Sequence, residues 1–168
     1  GTAEANSTIT LLNGNVEIGT ATTDSEGDFS VSPSSALADG NYSLEAKATD
    51  AAGNISTESS SISITIDTTA PEAPTSLVDI SDTNDTTPTI TGTAEANSTI
   101  TLLNGDVEIG TATADSEGDF SVSPSSALAD GVYSLTATAT DTAGNISSVS
   151  SSISITIDTT APEAPTSL

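Results

Sequence analysis

The 168-residue chain has no cysteine, histidine, methionine or tryptophan, only two phenylalanines and two tyrosines, and a single basic residue, Lys47. Without imidazole or thiolate there is no soft-metal ligand, which excludes zinc, copper, haem and iron–sulfur centres. The usual base and nucleophile of enzyme sites go with them, so no enzyme is expected. Without Lys and Arg to neutralise phosphates, nucleic acid is excluded as a partner and an anionic membrane surface is disfavoured. No apolar run approaches the roughly 18 residues that span a bilayer, so direct membrane insertion is not expected. No signal peptide is visible, and the lack of cysteine leaves the redox compartment open.

Carboxylate is what the chain has in quantity: 24 acidic residues and a formal charge of −23. With amide, hydroxyl and backbone oxygen, this is a hard-cation ligand set, and Ca²⁺ is the cofactor it fits best. The dense charge repels itself in a compact state, and a bound divalent cation would reverse that term.

The chain also repeats itself. Residues 1–77 return as residues 92–168, with differences only at Asn15/Asp106, Thr23/Ala114, Asn41/Val132, Glu45/Thr136, Lys47/Thr138, Ala51/Thr142, Thr57/Ser148 and Glu58/Val149. The period is that of a small independent domain, longer than a solenoid unit. The chain therefore reads as a piece of a tandem array whose partners are neighbouring domains of the same long chain. Near-identical copies in series suit spacers, stalks and multivalent binders.

Each period reads as strands. Ser61-Ile62-Ser63-Ile64-Thr65-Ile66 alternates strictly, placing three isoleucines on one face. Turn signals such as Asn104-Gly105, Asp130-Gly131 and Ala143-Gly144-Asn145 separate the runs. The complete copy is expected to hold strand A in Thr75–Ile80, B in Thr87–Ala94, C in Ser98–Leu103 and D in Glu108–Ala114. E follows in Asp119–Ser123, F in Gly131–Thr140 and G in Ser150–Ile157. Ser125–Ala129 is the one stretch that could form a helical turn. The fold class is all-β: tandem immunoglobulin-like seven-stranded sandwiches without the disulfide and tryptophan of antibody domains. Tyr133 and Tyr42 are expected to form tyrosine corners. The divisions are 1–67 for a first domain that lacks strand A and part of B, 68–74 for a linker, 75–158 for a complete domain, and 159–168 for a linker leading into a further repeat.

In such a sandwich the B–C, D–E and F–G loops share one pole with the start of strand A. That pole gathers Glu95 from B–C, Asp115, Glu117 and Asp119 from D–E, Asp141 and Asn145 from F–G, and Asp67 from the incoming linker. Asp67, Glu95 and Asp141, with Asn145 and backbone carbonyls, are the candidate Ca²⁺ ligands at the junction. Asp115, Glu117 and Asp119 are a second candidate group, and Glu4, Asp50 and Asn54 are the counterparts in the first copy, where the site is expected to be incomplete. Asp and Asn are also favoured in turns for backbone hydrogen bonding, which is the plain alternative for all of them. The acidic stretch Asp79, Asp82, Asn84 and Asp85 is read as a turn at the far pole leading into Pro88. Asn-x-Ser/Thr triplets are attributed to chance in a Ser/Thr-rich chain.

The segments DTTAP, TTPTITGTAEANSTITL, DSEGDFSV and ALADGVYSLTATATDTAGN together resemble the bacterial Ig-like repeats of giant, biofilm-associated surface adhesins exported by type I secretion. The resemblance implies an extracellular extender region on the bacterial cell surface. There, Ig-like domains in line are stiffened by Ca²⁺ at their junctions and hold a terminal adhesive domain away from the cell. It points to Asp67, Glu95 and Asp141. The alternative is a multivalent adhesion module binding a glycan or protein on a host or neighbouring cell, against which the scarcity of aromatic anchors counts. A threonine-rich ice-binding sheet is a further reading, opposed by the lack of a regular Thr-x-Thr array. End-to-end self-association, with Ala161–Leu168 of one chain supplying strand A to the first domain of another, is also considered.

Overall fold

Alternating apolar and hydroxyl side chains become strands with one buried face, and the turn signals between them become hairpins. The computed structural model describes residues 1–166, which divide into unit 1, Gly1–Thr68, and unit 2, from Thr69 onward. No helix occurs among the described residues, and Ser125–Ala129 is irregular.

Unit 1 contains β1 (Thr8–Asn13), β2 (Val16–Thr22), β3 (Gly40–Thr49) and β4 (Ile62–Ile66), in one sheet ordered β2-β1-β3-β4. Its pairings are all antiparallel. Unit 2 contains β5 (Asp82–Thr83), β6 (Ile90–Thr93), β7 (Thr99–Asn104), β8 (Val107–Thr113), β9 (Asp119–Val122), β10 (Gly131–Thr140) and β11 (Ile153–Ile157). They form a five-stranded sheet, β5-β11-β10-β7-β8, and a two-stranded sheet, β6-β9. The inward residues of both sheets meet in one core of Ile90, Ile100, Leu102, Phe120, Val122, Leu135, Ile155 and Ile157, joined by small alanines. Burying each of the larger side chains contributes roughly 1.5–3 kcal/mol.

Two features differ from the expected strand plan. Strand A is not a continuous run over Thr75–Ile80. Thr75 makes a single bridge to Thr93, Val78 donates to the Thr91 carbonyl at 3.0 Å, and the chain then crosses to the other sheet, where Asp82–Thr83 runs parallel to β11. Asp82 therefore lies in a strand and not in a turn. The turn is made by Asp85, whose Oδ1 accepts the Thr87 N–H at 2.9 Å. The ladder of strand B starts only at Ile90, two residues after Pro88, which has no N–H to donate.

The strand expected as D, β8, pairs with β7 across the tight Gly105 turn and so lies at the edge of the larger sheet. A bulge between Leu102 and Leu103 bends this hairpin, and Gly110 sits beside it. A Cβ on Gly110 would run into the carbonyl of Ser123, so only glycine lets the chain leaving β9 pass this close. The tyrosine corners form as expected, with the Tyr133 hydroxyl donating to the Ala129 carbonyl at 3.0 Å and Tyr42 to Ala38 at 2.9 Å.

Candidate functional site

The acidic loops owe their shape to short polar side chains that cap their own backbone. After β10, Asp141 Oδ1 accepts the N–H groups of Ala143 and Asn145, both at 2.8 Å, and Oδ2 accepts Asn145 Nδ2 at 2.8 Å. Asp141 is only 9 % exposed. The Asn145 amide, followed by the backbone N–H groups and working against burial, holds the Asp141 carboxyl below its usual range. Unit 1 repeats the arrangement, with Asp50 Oδ1 accepting from Ala52 and Asn54, and Asn54 Nδ2 reaching Oδ2 at 2.7 Å. The Asp50 carboxyl is lowered for the same reason, with the Asn54 side chain foremost.

The loop between β8 and β9 is built alike. Asp115 Oδ1 accepts from the N–H groups of Glu117 at 3.0 Å and Asp119 at 2.8 Å, while Glu117 Oε2 accepts the Ser116 hydroxyl at 2.7 Å. The loop between β6 and β7 docks on it, Ala94 donating to the Gly118 carbonyl at 2.9 Å and Asn97 to Asp115 at 3.3 Å. Asn97 reaches that bond with φ 62°, a left-handed conformation that asparagine tolerates. In unit 1 the loop is tied further by Thr23, buried where unit 2 has Ala114. The Thr23 hydroxyl donates to the Glu4 carbonyl at 2.6 Å and accepts the Ser7 N–H at 2.8 Å.

The candidate ligands fall into several places. Glu4, Asp50 and Asn54 line one cavity of about 430 Å³ in unit 1, so the B–C and F–G loops do share a pole. Asp115 and Asp119 line a different cavity, of about 510 Å³, beside Phe120. Glu95 is exposed and borders a depression of about 370 Å³ with Glu72. Asp67 is exposed just after β4 and belongs to unit 1, whereas Glu95 and Asp141 belong to unit 2. Within the described residues no three acidic side chains form one cluster suited to a metal ion.

A further acidic pair was not among the sequence candidates. Asp130, just before β10, accepts the N–H and hydroxyl of Thr159 at 3.0 and 2.8 Å through Oδ1, and the hydroxyl of Thr160 at 3.1 Å through Oδ2. Asp39 holds Thr68 in the same way in unit 1, at 3.1 and 2.8 Å. The Thr159 hydroxyl, followed by its N–H, lowers the Asp130 carboxyl. The signal available in the sequence is the recurrence of ADG before strand F together with DTT after strand G.

Two units with the same antiparallel strand order, β2-β1-β3-β4 and β8-β7-β10-β11, and the same capped loops define a tandem immunoglobulin-like repeat segment. Residues 1–68 and 78–159 both match the bacterial Ig-like domain, and the chain belongs to that family. Among solved structures it is similar in fold to the fibronectin(III)-like modules of Clostridium thermocellum CbhA, at 19 % identity and a TM-score of 0.58 over 94 % of this chain and 80 % of that one. Two further matches each cover 94 % of this chain at 28 % identity. One is the BSP domain of a biofilm-associated protein, with a TM-score of 0.43 over 26 % of that chain. The other is a tetra-tandem repeat in the extending region of a large adhesion protein, with a TM-score of 0.36 over 43 % of that chain. No curated protein matches.

Proposed function

We propose that this chain is a structural extender segment of a bacterial surface adhesin, working outside the cell and without catalysis. In this reading its tandem Ig-like domains carry a distal adhesive part away from the surface. The observation that carries the proposal is the paired clip on the linker threonines, Asp39 with Thr68 and Asp130 with Thr159 and Thr160. A spacer transmits length only if each domain fixes the direction in which its chain leaves. The prolines Pro71 and Pro74 that follow restrict the linker further.

Calcium is the second part of the proposal. The candidate ligands are oxygen donors throughout, which suits Ca²⁺, and the charge of −23 gives a cation a large stabilising role. The ligand shell would take Asp67, Glu95 and Asp141 with backbone carbonyls and water, and because no three acids form a cluster among the described residues, the ion itself would have to draw these carboxylates together. The bound ion would cross-link these loops and cancel their mutual repulsion.

The test is a calorimetric melt in excess chelator and again in about millimolar Ca²⁺. A ligand at 100 times its dissociation constant stabilises by roughly 2.7 kcal/mol. The expected result is a rise of several degrees that Asp141→Ala abolishes. An unchanged melt with Ca²⁺ rejects the calcium part and leaves the extender to stand on its linker clips.

A further inference from the structure

Half of the differences between the two copies fall on one face of the larger sheet. Unit 2 has Val132, Thr136, Thr138 and Val149 where unit 1 has Asn41, Glu45, Lys47 and Glu58. Leu135, Ala137 and Ala139 of β10 are wholly buried, so the alternating Thr136, Thr138 and Thr140 face outward. Val132 faces outward on the same strand and is 73 % exposed. Val149, 58 % exposed, stands beside Thr138, since the same two positions in unit 1 bring Lys47 Nζ within 2.9 Å of Glu58. Register extends this face across three strands. Thr140, Thr99 and Thr113 lie side by side on β10, β7 and β8, and Thr138, Thr101 and Thr111 form a second rank. A regular Thr-x-Thr array, not expected from the sequence, is thus present. Glu108, opposite Leu103, marks its border. Inside that border stand hydroxyl and methyl groups with no charge and no aromatic ring, in a chain of formal charge −23.

We propose that this face of unit 2 is a contact surface for the same face of unit 2 in a second copy of the chain. Charge selects the partner. A basic partner finds nothing to pair with here, an anionic one is repelled by the acidic surroundings, and a glycan finds no aromatic ring to stack on. A second copy is repelled over the rest of its surface, but its own uncharged face meets this one with no carboxylate to desolvate. The threonine hydroxyls both donate and accept, so they bond one another across the contact. Shape agrees. Neighbouring strands turn by about 20–25°, so the ranks do not match a flat lattice such as ice, whereas two sheets of like twist pack face to face at about −30°. Four chain segments about 4.8 Å apart and three outward rows about 6.7 Å apart cover about 400 Å² per copy, half of the roughly 800 Å² per partner of a stable complex. The pair is therefore weak, with a dissociation constant on the order of millimolar. Between extenders standing side by side the contact is lateral, and its failure leaves the extender reading as it stands.

The experiment is an NMR dilution series of the intact chain up to about 2 mM, in about 1 M salt so that general repulsion is screened within about 3 Å. Support is a concentration-dependent shift of the β10 amides with slower translational diffusion. The variant Val132→Asn, Thr136→Glu, Thr138→Lys, Val149→Glu carries the residues with which unit 1 builds the same sheet, and should associate at least about ten-fold more weakly. Ser121→Glu adds the same net charge at an exposed position of β9, on the other sheet, and should associate like the parent. No concentration dependence in the parent, equal association in the four-fold variant, or loss of association in Ser121→Glu overturns the proposal.

Discussion

Asp39 and Thr68 lie 29 residues apart and are joined by two hydrogen bonds, from the threonine N–H at 3.1 Å and its hydroxyl at 2.8 Å to a single carboxylate oxygen. Asp130 and Thr159 repeat the relationship. In each unit the carboxylate stands at the start of the strand that pairs with the last one, so the departing chain is held against the sheet it has just left. Asp130→Ala should release this hold without unfolding unit 2. NMR order parameters at Thr159 and Thr160 should drop from near 0.85, typical of rigid backbone, toward 0.6 or below. Unchanged values would mean that the threonines are held by something else.

Acid should weaken the fold through three named carboxylates. Asp50, Asp130 and Asp141 all have lowered folded-state pKa values, led by the Asn54, Thr159 and Asn145 side chains respectively. A lowered folded pKa contributes stability that is fully present above the unfolded value of about 3.9 and is lost as pH falls through the folded value. Urea midpoints should therefore be flat with respect to these groups from pH 7 to about 5 and fall below about pH 4. In Asp141→Asn the part of that fall belonging to unit 2 should shrink.

Tyr133→Phe removes the hydroxyl that reaches the Ala129 carbonyl while leaving the ring in place. A hydrogen bond of this kind contributes about 1 kcal/mol net. Unit 2 should lose about that much in denaturant unfolding, with an unchanged m-value. Tyr42→Phe should have a similar effect on unit 1, where the bond to Ala38 is the same.

Lys47 Nζ lies 2.9 Å from Glu58 Oε1 in unit 1, with both side chains partly exposed, and the second copy replaces both residues, with Thr138 and Val149. Exposed pairs of this sort are worth about 0.2–1 kcal/mol and are screened by salt. A double-mutant cycle with Lys47→Thr and Glu58→Val should return a coupling in that range, vanishing toward 1 M salt. The paired replacement should then cost less than the sum of the single changes.

The hairpins and the long strands were readable because each is a local property. The Ser-Ile alternation at 61–66 and 152–157 fixes which face is buried, and Asn104-Gly105 fixes the turn between β7 and β8. The divided strand A was not readable. Leu77 and Ile80 look like one extended apolar run, but only the tertiary position of β11 decides that Asp82–Thr83 pairs with the second sheet. The candidate site divides in the same way. Asp141 with Asn145 and Asp115 with Glu117 are close in sequence, and their loop geometry follows from spacing. The Asp130–Thr159 clip spans 29 residues and depends on two strands lying side by side, which spacing alone does not reveal.

The single basic residue has a consequence for digestion. A protease that cuts after lysine or arginine finds one peptide bond in this chain, after Lys47, and that bond lies within β3, flanked on both sides by β1 and β4. Strand backbone held between two neighbours must open before it enters a protease cleft. Trypsin should thus leave the folded chain whole and, once unit 1 opens, yield only two fragments, so that the appearance of the second band is a direct clock for the opening of that unit alone.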